Sequence, residues 1–314
     1  MIGFCAALSS CARLHRRLCG KRERSLEGAS MEKNNLRFEF GRNWSAFLTV
    51  LNEERIAVAE TSLKRALNVK DLQGKRFLDV GCGSGLFSLA ALRLGASVHS
   101  FDYDVRSVAC AAELKRRYFC NSPHWAIESG SALDPVYLAR LGRFDVVYSW
   151  GVLHHTGDMW RALENVVPLV NRDGKLFISI YGDMGELTRR WRAIKKLYVS
   201  SNRAGQWAIL LSVWTFLQIK SSVGRLARLQ NPLPFRVWRE YRKNRGMSAW
   251  HDFVDWVGGY PYEAASVEEI FEFYRDRGFG LEFLRTGGLG CNEFVFNRAE
   301  SALTARPEMR ALPA

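Results

Sequence analysis

The sequence predicts an α/β protein. Its doubly wound, mostly parallel sheet should end in an antiparallel hairpin strand and carry a helical insertion after the fifth strand. Three observations carry that expectation. Short apolar runs alternate with amphipathic stretches between residues 75 and 181, a glycine loop joins the first run to the first amphipathic stretch, and the alternation stops after Tyr181 and resumes at Ser266.

Taken in order, Phe47, Leu48, Leu51, Ile56, Ala59, Leu63 and Leu67 recur at helical spacing and predict one helix over residues 45–67. Strands are then expected over residues 75–80, 97–101, 125–128, 144–149 and 175–181, the last after an Asp173-Gly174 turn. The intervening helices fall at 85–94, 106–118, 135–141 and 158–170. Such alternation requires crossover connections, which are right-handed and give a parallel sheet. Residues 183–250 are helical in composition, aromatic and basic, with Pro232 and Pro234 interrupting. Ser266-Val267-Glu268-Glu269 is a capping box that starts a helix. Residues 279–284 and 293–296 read as two strands joined through Gly287, Gly288 and Gly290.

The expected organisation follows. Residues 1–30 form a disordered or mis-started tail ahead of Met31, and 31–73 a helical segment. Residues 74–182 form a cofactor-binding core and 183–265 a basic aromatic insertion that caps the substrate. Residues 266–297 complete the core and 298–314 form a flexible tail.

Of the 314 residues, 47% are hydrophobic, enough for a sizeable core and against global disorder. No apolar run reaches the roughly 18 residues of a membrane span. Seven cysteines, an odd number without a Cys-x-x-Cys spacing, argue against a disulfide framework, a zinc site or an iron–sulfur site. A cytoplasmic protein without a metal is expected. The net charge of +13 is uneven: residues 186–250 hold fourteen Lys/Arg against Glu186 and Glu240. Arg189, Arg190, Arg192, Lys195 and Lys196 begin that set. Concentrated positive charge attracts RNA, phosphorylated ligands or an anionic membrane surface, at which the protein would be peripheral; the alternative is a set of solvated helix faces.

The chemistry is concentrated in Phe77-Leu78-Asp79-Val80-Gly81-Cys82-Gly83-Ser84-Gly85, which runs strand, glycine loop, helix. Glycines let backbone approach a ligand closely, and the helix that follows presents free N–H groups. A Rossmann-like dinucleotide site would carry Gly-x-Gly-x-x-Gly for a pyrophosphate. Here the spacing is Gly-x-Gly-x-Gly, and the carboxylate of Asp79 suits an ammonium rather than a phosphate. Asp102, at the end of the next strand, is placed to accept from ribose hydroxyls. A ligand with a ribose and an amine but no phosphate fits, and S-adenosyl-L-methionine is such a ligand.

On these residues the chain resembles the class I S-adenosylmethionine-dependent methyltransferases, and within them the type 11/12 group that includes the ubiquinone-biosynthesis O-methyltransferases. Leu78 to Gly85 resembles the first motif, Asp102 the end of the second and Gly130-Ser131-Ala132-Leu133 the third. Phe144 to Ser149 followed by Val152-Leu153-His154-His155 resembles the fourth, and Asn171 to Leu176 the turn before the fifth strand. The resemblance implies that Asp79 holds the methionine ammonium and that Gly81, Gly83 and Gly85 line the cofactor. It also implies that Asp102 binds the ribose, Tyr103 flanks the adenine, Ser131 and Ala132 meet the adenine edge, and Trp150 lies near the sulfonium. Relatives often carry Asp where Ser131 stands, and Glu-His where this chain has His154-His155.

Methyl transfer to a hydroxyl needs a base, and His154 and His155 are the candidates by residue type and place. Adjacent side chains cannot both face one spot, so at most one is catalytic, and packing is the alternative for each. Asp255, Trp256, Tyr260 and Tyr262 are expected to form a substrate-binding wall where the insertion returns to the core. The fourth motif lacks the Asn-Pro-Pro-Tyr pattern of relatives that methylate nitrogen. That absence favours another acceptor without fixing oxygen; the expected activity is methylation of a small or lipophilic acceptor, with oxygen the favoured atom. The alternatives are an RNA-modifying methyltransferase that uses the basic insertion, and a catalytically silent binding protein of the same fold.

Overall fold

A computed structural model describes residues 36–120, 122–229, 248–288 and 290–298. The tail expected over residues 1–30, Pro232, Pro234 and the segment beyond residue 298 lie outside these described residues. The chain divides into two compact units, Met1–Arg37 and Phe38–Ala314. Of the first only Leu36 and Arg37 are described; the second holds every element below.

Phe77, Leu78 and Val80 are fully enclosed in β1 (Arg76–Val80), an interior strand of the sheet. Around it lie β2 (Ser97–Asp102), β3 (Trp125–Ser129), β4 (Phe144–Trp150), β5 (Val170–Tyr181), β6 (Gly280–Arg285) and β7 (Cys291–Asn297), in the order β3-β2-β1-β4-β5-β7-β6. The first five are parallel; β7 runs antiparallel to β5, from Lys175↔Asn297 to Tyr181↔Cys291, and β6 pairs antiparallel with β7. The doubly wound sheet with its C-terminal hairpin is the expected one.

Strand alternation sends neighbouring side chains to opposite faces, and both faces are covered. Phe77, Tyr148, Phe177 and Val295 pack under α1 (Phe40–Phe47), α2 (Glu53–Leu67), α3 (Leu86–Arg93) and α4 (Val105–Tyr118). Leu78, Val147, Leu176 and Phe294 pack under α5 (Pro135–Leu141), α6 (Met159–Val166) and α10 (Val267–Arg275). Between β5 and α10 the chain builds α7 (Glu186–Ser200), α8 (Arg203–Leu226) and α9 (Ala249–Gly258), the expected helical insertion.

Three boundaries differ from the sequence expectation. The helix expected over residues 45–67 is two helices, because Asn52 takes extended backbone and its side chain accepts from Arg55 N at 3.1 Å, capping α2. The helix expected over 158–170 ends at Val166, and a 3-10 turn over Val167–Leu169, with Pro168 inside it, leads directly into β5. Strand β5 therefore starts at Val170, and Asp173 adopts φ of 58° within it.

The capping box of α10 is formed in both directions: Ser266 Oγ accepts from Glu269 N at 3.1 Å, and Glu269 Oε2 accepts from Ser266 N at 2.8 Å. The helix buries Ile270 and Tyr274 against the sheet. Replacing Ser266 with Ala is expected to lower global stability by about 1 kcal/mol. An unchanged urea midpoint would show that the cap contributes nothing.

Candidate active site

The glycine loop leaves the C-terminal end of β1 and is held from beneath by β2. Gly81 N and Cys82 N both donate to Phe101 O, at 2.9 and 3.0 Å, and Gly85 N donates to Cys82 O at 2.8 Å before α3 begins. Gly81 (φ 75°) and Gly83 (φ 53°) occupy the left-handed region, which glycine reaches without strain. Close approach adds a second constraint: a Cβ at Gly81 would sit 2.3 Å from Val152 Cγ1, and one at Gly83 would sit 2.9 Å from Trp44 Nε1.

Asp102, at the tip of β2, ties the loops together. Its Oδ2 accepts from Gly83 N at 2.9 Å and its Oδ1 from Asp104 N at 2.8 Å, while its carbonyl accepts from Gly130 N at 3.0 Å. Burial pushes its carboxyl up to about 6, against the lowering effect of the Asp104 and Gly83 amides. Asp79 lies deeper, 2% exposed, and burial pushes it up to about 7 although the Ser88 hydroxyl donates to it. That hydroxyl ends a chain of fixed polarity. An ionised carboxylate only accepts, so Ser88 gives its one proton to Asp79; Ser88 Oγ then accepts from Ser100 (2.7 Å), whose Oγ accepts from Trp125 Nε1 (2.8 Å).

The adenine-edge candidates border this loop. Tyr103 is 65% exposed just past Asp102. Ser131 Oγ accepts from Leu133 N at 3.1 Å, so it caps its own turn, and Ala132 is buried with its carbonyl accepting from Asn165 at 2.9 Å. Trp150, at the tip of β4, donates from Nε1 to Glu293 Oε1 at 2.9 Å, and Arg285 meets the same oxygen at 2.5 Å.

The structure separates the two histidines. His154 is fully buried, and neither ring nitrogen has a hydrogen-bond partner among the described residues. Burial and the charges of His155 and Lys195 hold its imidazole well below the ordinary range. His155 Nδ1 lies 2.5 Å from Pro261 O, and a carbonyl only accepts, so Nδ1 carries the proton and Nε2 is the basic nitrogen. Phe40 packs on the His155 ring at 5.0 Å.

The returning segment of the insertion is stitched to the turn and helix that follow β4. Glu263 N donates to His154 O at 3.0 Å, and Glu263 Oε2 accepts from Met159 N at 3.0 Å. Tyr260 precedes a cis peptide to Pro261, and its carbonyl accepts from Phe38 N at 3.0 Å. Tyr262 is buried, with its ring 5.0 Å from that of Tyr181. Asp255 and Trp256 stand on α9; Trp256 meets Trp191 at 4.3 Å, and Oδ1 of Asp255 and Nε1 of Trp191 have no hydrogen-bond partner among the described residues. Burial pushes the Asp255 carboxyl well up, with Asp252 adding and Lys195 opposing.

Two residues at this site escaped the sequence reading. Trp44 covers Gly83 from α1, which is pinned by Gly41 N donating to Asp104 Oδ2 at 2.8 Å. The only signal was Gly41 itself, where a Cβ would fall 2.6 Å from Arg106 Cβ. Lys195, grouped above with a cationic surface, is instead 1% exposed. Its Nζ donates to Trp256 O and lies 5.2 Å from the Tyr181 ring and 4.9 Å from the Tyr262 ring. Burial pulls its ammonium down to about 7, against the opposing charge of Asp255. Of its neighbours in sequence, Arg189 and Arg190 pair with Glu186, and Arg192 Nε donates to Tyr262 O at 3.1 Å.

A seven-stranded sheet in this order, with a glycine loop after β1 and carboxylates ending β1 and β2, defines the class I methyltransferase fold. Residues 78–176 match the family model described as a methyltransferase domain, so this stretch is a class I S-adenosylmethionine-dependent methyltransferase domain. A ubiquinone biosynthesis O-methyltransferase of Rhodopseudomonas palustris is 26% identical over 144 residues, 46% of this chain and 52% of the relative. One of Xanthomonas oryzae pv. oryzae is 33% identical over 109 residues, 35% of this chain and 44% of the relative. The chain thus spans about half the length of these curated relatives. The crystal structure of a magnesium protoporphyrin IX methyltransferase from Synechocystis with bound SAH is similar in fold, with TM-score 0.50, 15% identity, and coverage of 86% of this chain and 99% of that one.

Asp79 sets a pH dependence. Its folded pKa of about 7 lies above the ordinary 3.8, so the folded chain binds this proton more tightly than the unfolded chain. Its contribution to stability is full below pH 3.8 and is lost as the pH rises towards 7. Asp79→Asn keeps an acceptor for Ser88 without the charge. It is expected to stabilise the ligand-free protein by roughly 1–3 kcal/mol at about pH 8, with the gain closing near pH 4. Denaturant unfolding at both pH values checks this; a destabilised variant at high pH would show that the ionised carboxylate supports the fold.

Proposed function

We propose that the chain transfers the methyl group of S-adenosyl-L-methionine to a small or lipophilic acceptor, at oxygen. The observation that carries the cofactor assignment is the pair of carboxylates with raised pKa beside a loop in which Cβ atoms at Gly81 and Gly83 would clash. Two buried carboxylates tolerate an ammonium and ribose hydroxyls and repel a phosphate. Asp79 would hold the amino end of the cofactor. Asp102 would hold the ribose through lone pairs left beside its two amide bonds, with Tyr103, Ser131 and Ala132 around the adenine and Trp150 near the reacting end. When bound, the cofactor supplies an electrophilic methyl on a sulfonium.

The residues of this chain supply the rest. His155 suits the proton acceptor: its tautomer leaves Nε2 basic, and the Pro261 carbonyl and Phe40 fix the ring. Enclosed His154 positions its neighbour. Tyr181, Tyr262, Trp191 and Trp256 give the junction between sheet and insertion aromatic walls, and the unpartnered polar atoms of Trp191 and Asp255 give it few but definite polar groups. That combination suits an acceptor with a flat apolar body and one or two polar substituents. The curated relatives are O-methyltransferases by name, which agrees with oxygen as the accepting atom.

Titration calorimetry is expected to show S-adenosyl-L-methionine and its demethylated product binding and NAD not binding. Asp102→Ala should weaken that binding by about 1–3 kcal/mol in a folded protein. With methyl-labelled cofactor, label should pass to phenolic or carboxylic acceptors, and His155→Gln should slow turnover without changing cofactor affinity. Tight NAD binding without a response to the methyl donor would overturn the assignment. Label passing only to RNA would replace the small acceptor.

A further inference from the structure

The insertion contains no Asp or Glu between Glu186 and Glu240, although it carries many Lys and Arg. Within it α8 runs 24 residues, about 36 Å at 1.5 Å per residue, and buries only Leu210. Ile209, Val213 and Trp214 are partly buried on its inner side, but the other side is not covered. Trp207, Leu211, Phe216, Ile219, Val223 and Leu226 are each about 60% exposed. Phe216, Ile219, Val223 and Leu226 follow the three- and four-residue spacing that aligns side chains along one helix face. Lys220 lies one turn beyond Phe216 and borders that stripe, and Arg228 follows the helix end. Among the described residues Arg203, Lys220 and Arg228 form no ion pair.

We propose that this outer face of α8 docks on an anionic lipid surface. A helix with an apolar face, flanking cations and no acids lies in a membrane interface, with its apolar side chains in the acyl boundary and its cations at the headgroups. No helix among the described residues is long and apolar enough to cross a membrane, so the fit is to the surface. Charge complementarity selects the occupant. A second copy of this chain would bring the same cations together with no carboxylate in the segment to offset them. An RNA backbone would satisfy the cations and leave Leu211, Ile219, Val223 and Leu226 against water, with nothing to stack on. Anionic lipid satisfies both halves of the face. The docking uses none of the residues assigned to methyl transfer, so it stands or falls apart from that reading.

The test is co-sedimentation of the full chain with phosphatidylcholine vesicles, with and without phosphatidylglycerol. Binding is expected only where the anionic lipid is present, and to weaken with salt. The variant F216S/I219S/V223S/L226S should lose at least about tenfold in partitioning, since binding scales with buried apolar area. Its affinity for S-adenosyl-L-methionine should remain. K220Q/R228Q should lose less and show a shallower salt dependence. Should the quadruple variant fail to fold, brominated lipids in anionic vesicles should quench the tryptophan fluorescence of F216W, whose new indole lies on the docking face, more strongly than that of wild type. Equal sedimentation of wild type and folded quadruple variant, absence of quenching, RNA binding in place of vesicle binding, or a dimer that the quadruple variant dissociates would each overturn the proposal.

Discussion

Everything at the C-terminal edge of this sheet depends on how Asp102 uses its two carboxylate oxygens. One fixes Gly83 and the other fixes Asp104, so a single side chain sets the positions of the glycine loop and of the turn into α4. Asp104 in turn receives Gly41 N, which brings α1 and Trp44 onto the loop. The carbonyl of Asp102 fixes Gly130, and with it the turn that holds Ser131 and Ala132. A carboxylate in this role cannot be well solvated, and its raised pKa is the physical consequence. The same holds more strongly for Asp79, which is enclosed above the serine chain that ends on it. The site therefore holds two charges that the fold disfavours and that a cationic, hydroxyl-bearing ligand would relieve. A site of this kind gives up stability in the free protein for affinity in the complex.

How much of this the sequence displayed depended on whether the signal was local. The sheet was legible because each strand carries its own apolar run and each helix its own period, as with Phe77 to Val80 and with α4. Asp79, the glycines and Asp102 were legible because close backbone approach and paired carboxylates leave a fixed spacing. Trp44 and Lys195 were not, because each owes its place to contacts made far along the chain. Trp44 meets Gly83, and Lys195 meets Trp256. A lysine on an amphipathic, arginine-rich helix reads as a solvated charge, and only the tertiary packing of Tyr181 and Tyr262 shows that it is enclosed. The break between α1 and α2 was lost for a similar reason: apolar periodicity runs through it, and the Asn52 cap prevails locally.

The insertion combines two unlike surfaces. Its inner part, where α7 and α9 meet Tyr262, is aromatic and buries Lys195, Tyr198 and Val257, and it contributes Lys195 and Asp255 to a junction whose polar atoms are incompletely paired among the described residues. Its outer part, α8, leaves large apolar side chains in water. On the reading proposed above, a lipophilic acceptor would give both a common reason: the outer face would bring the protein to the phase where such a molecule resides, and the inner walls would receive it.

The central claim is that a cationic ligand with ribose hydroxyls binds ionised Asp79 and Asp102. Because both carboxyls are held above their ordinary values, binding must release protons where they are still partly protonated. The most direct measurement is calorimetry of S-adenosyl-L-methionine binding near pH 6 in buffers of different ionisation enthalpy, repeated up to about pH 8. Proton release near pH 6 that fades by pH 8, with affinity rising over the same interval, is the expected result. Affinity that does not change with pH, with no proton released, would contradict it.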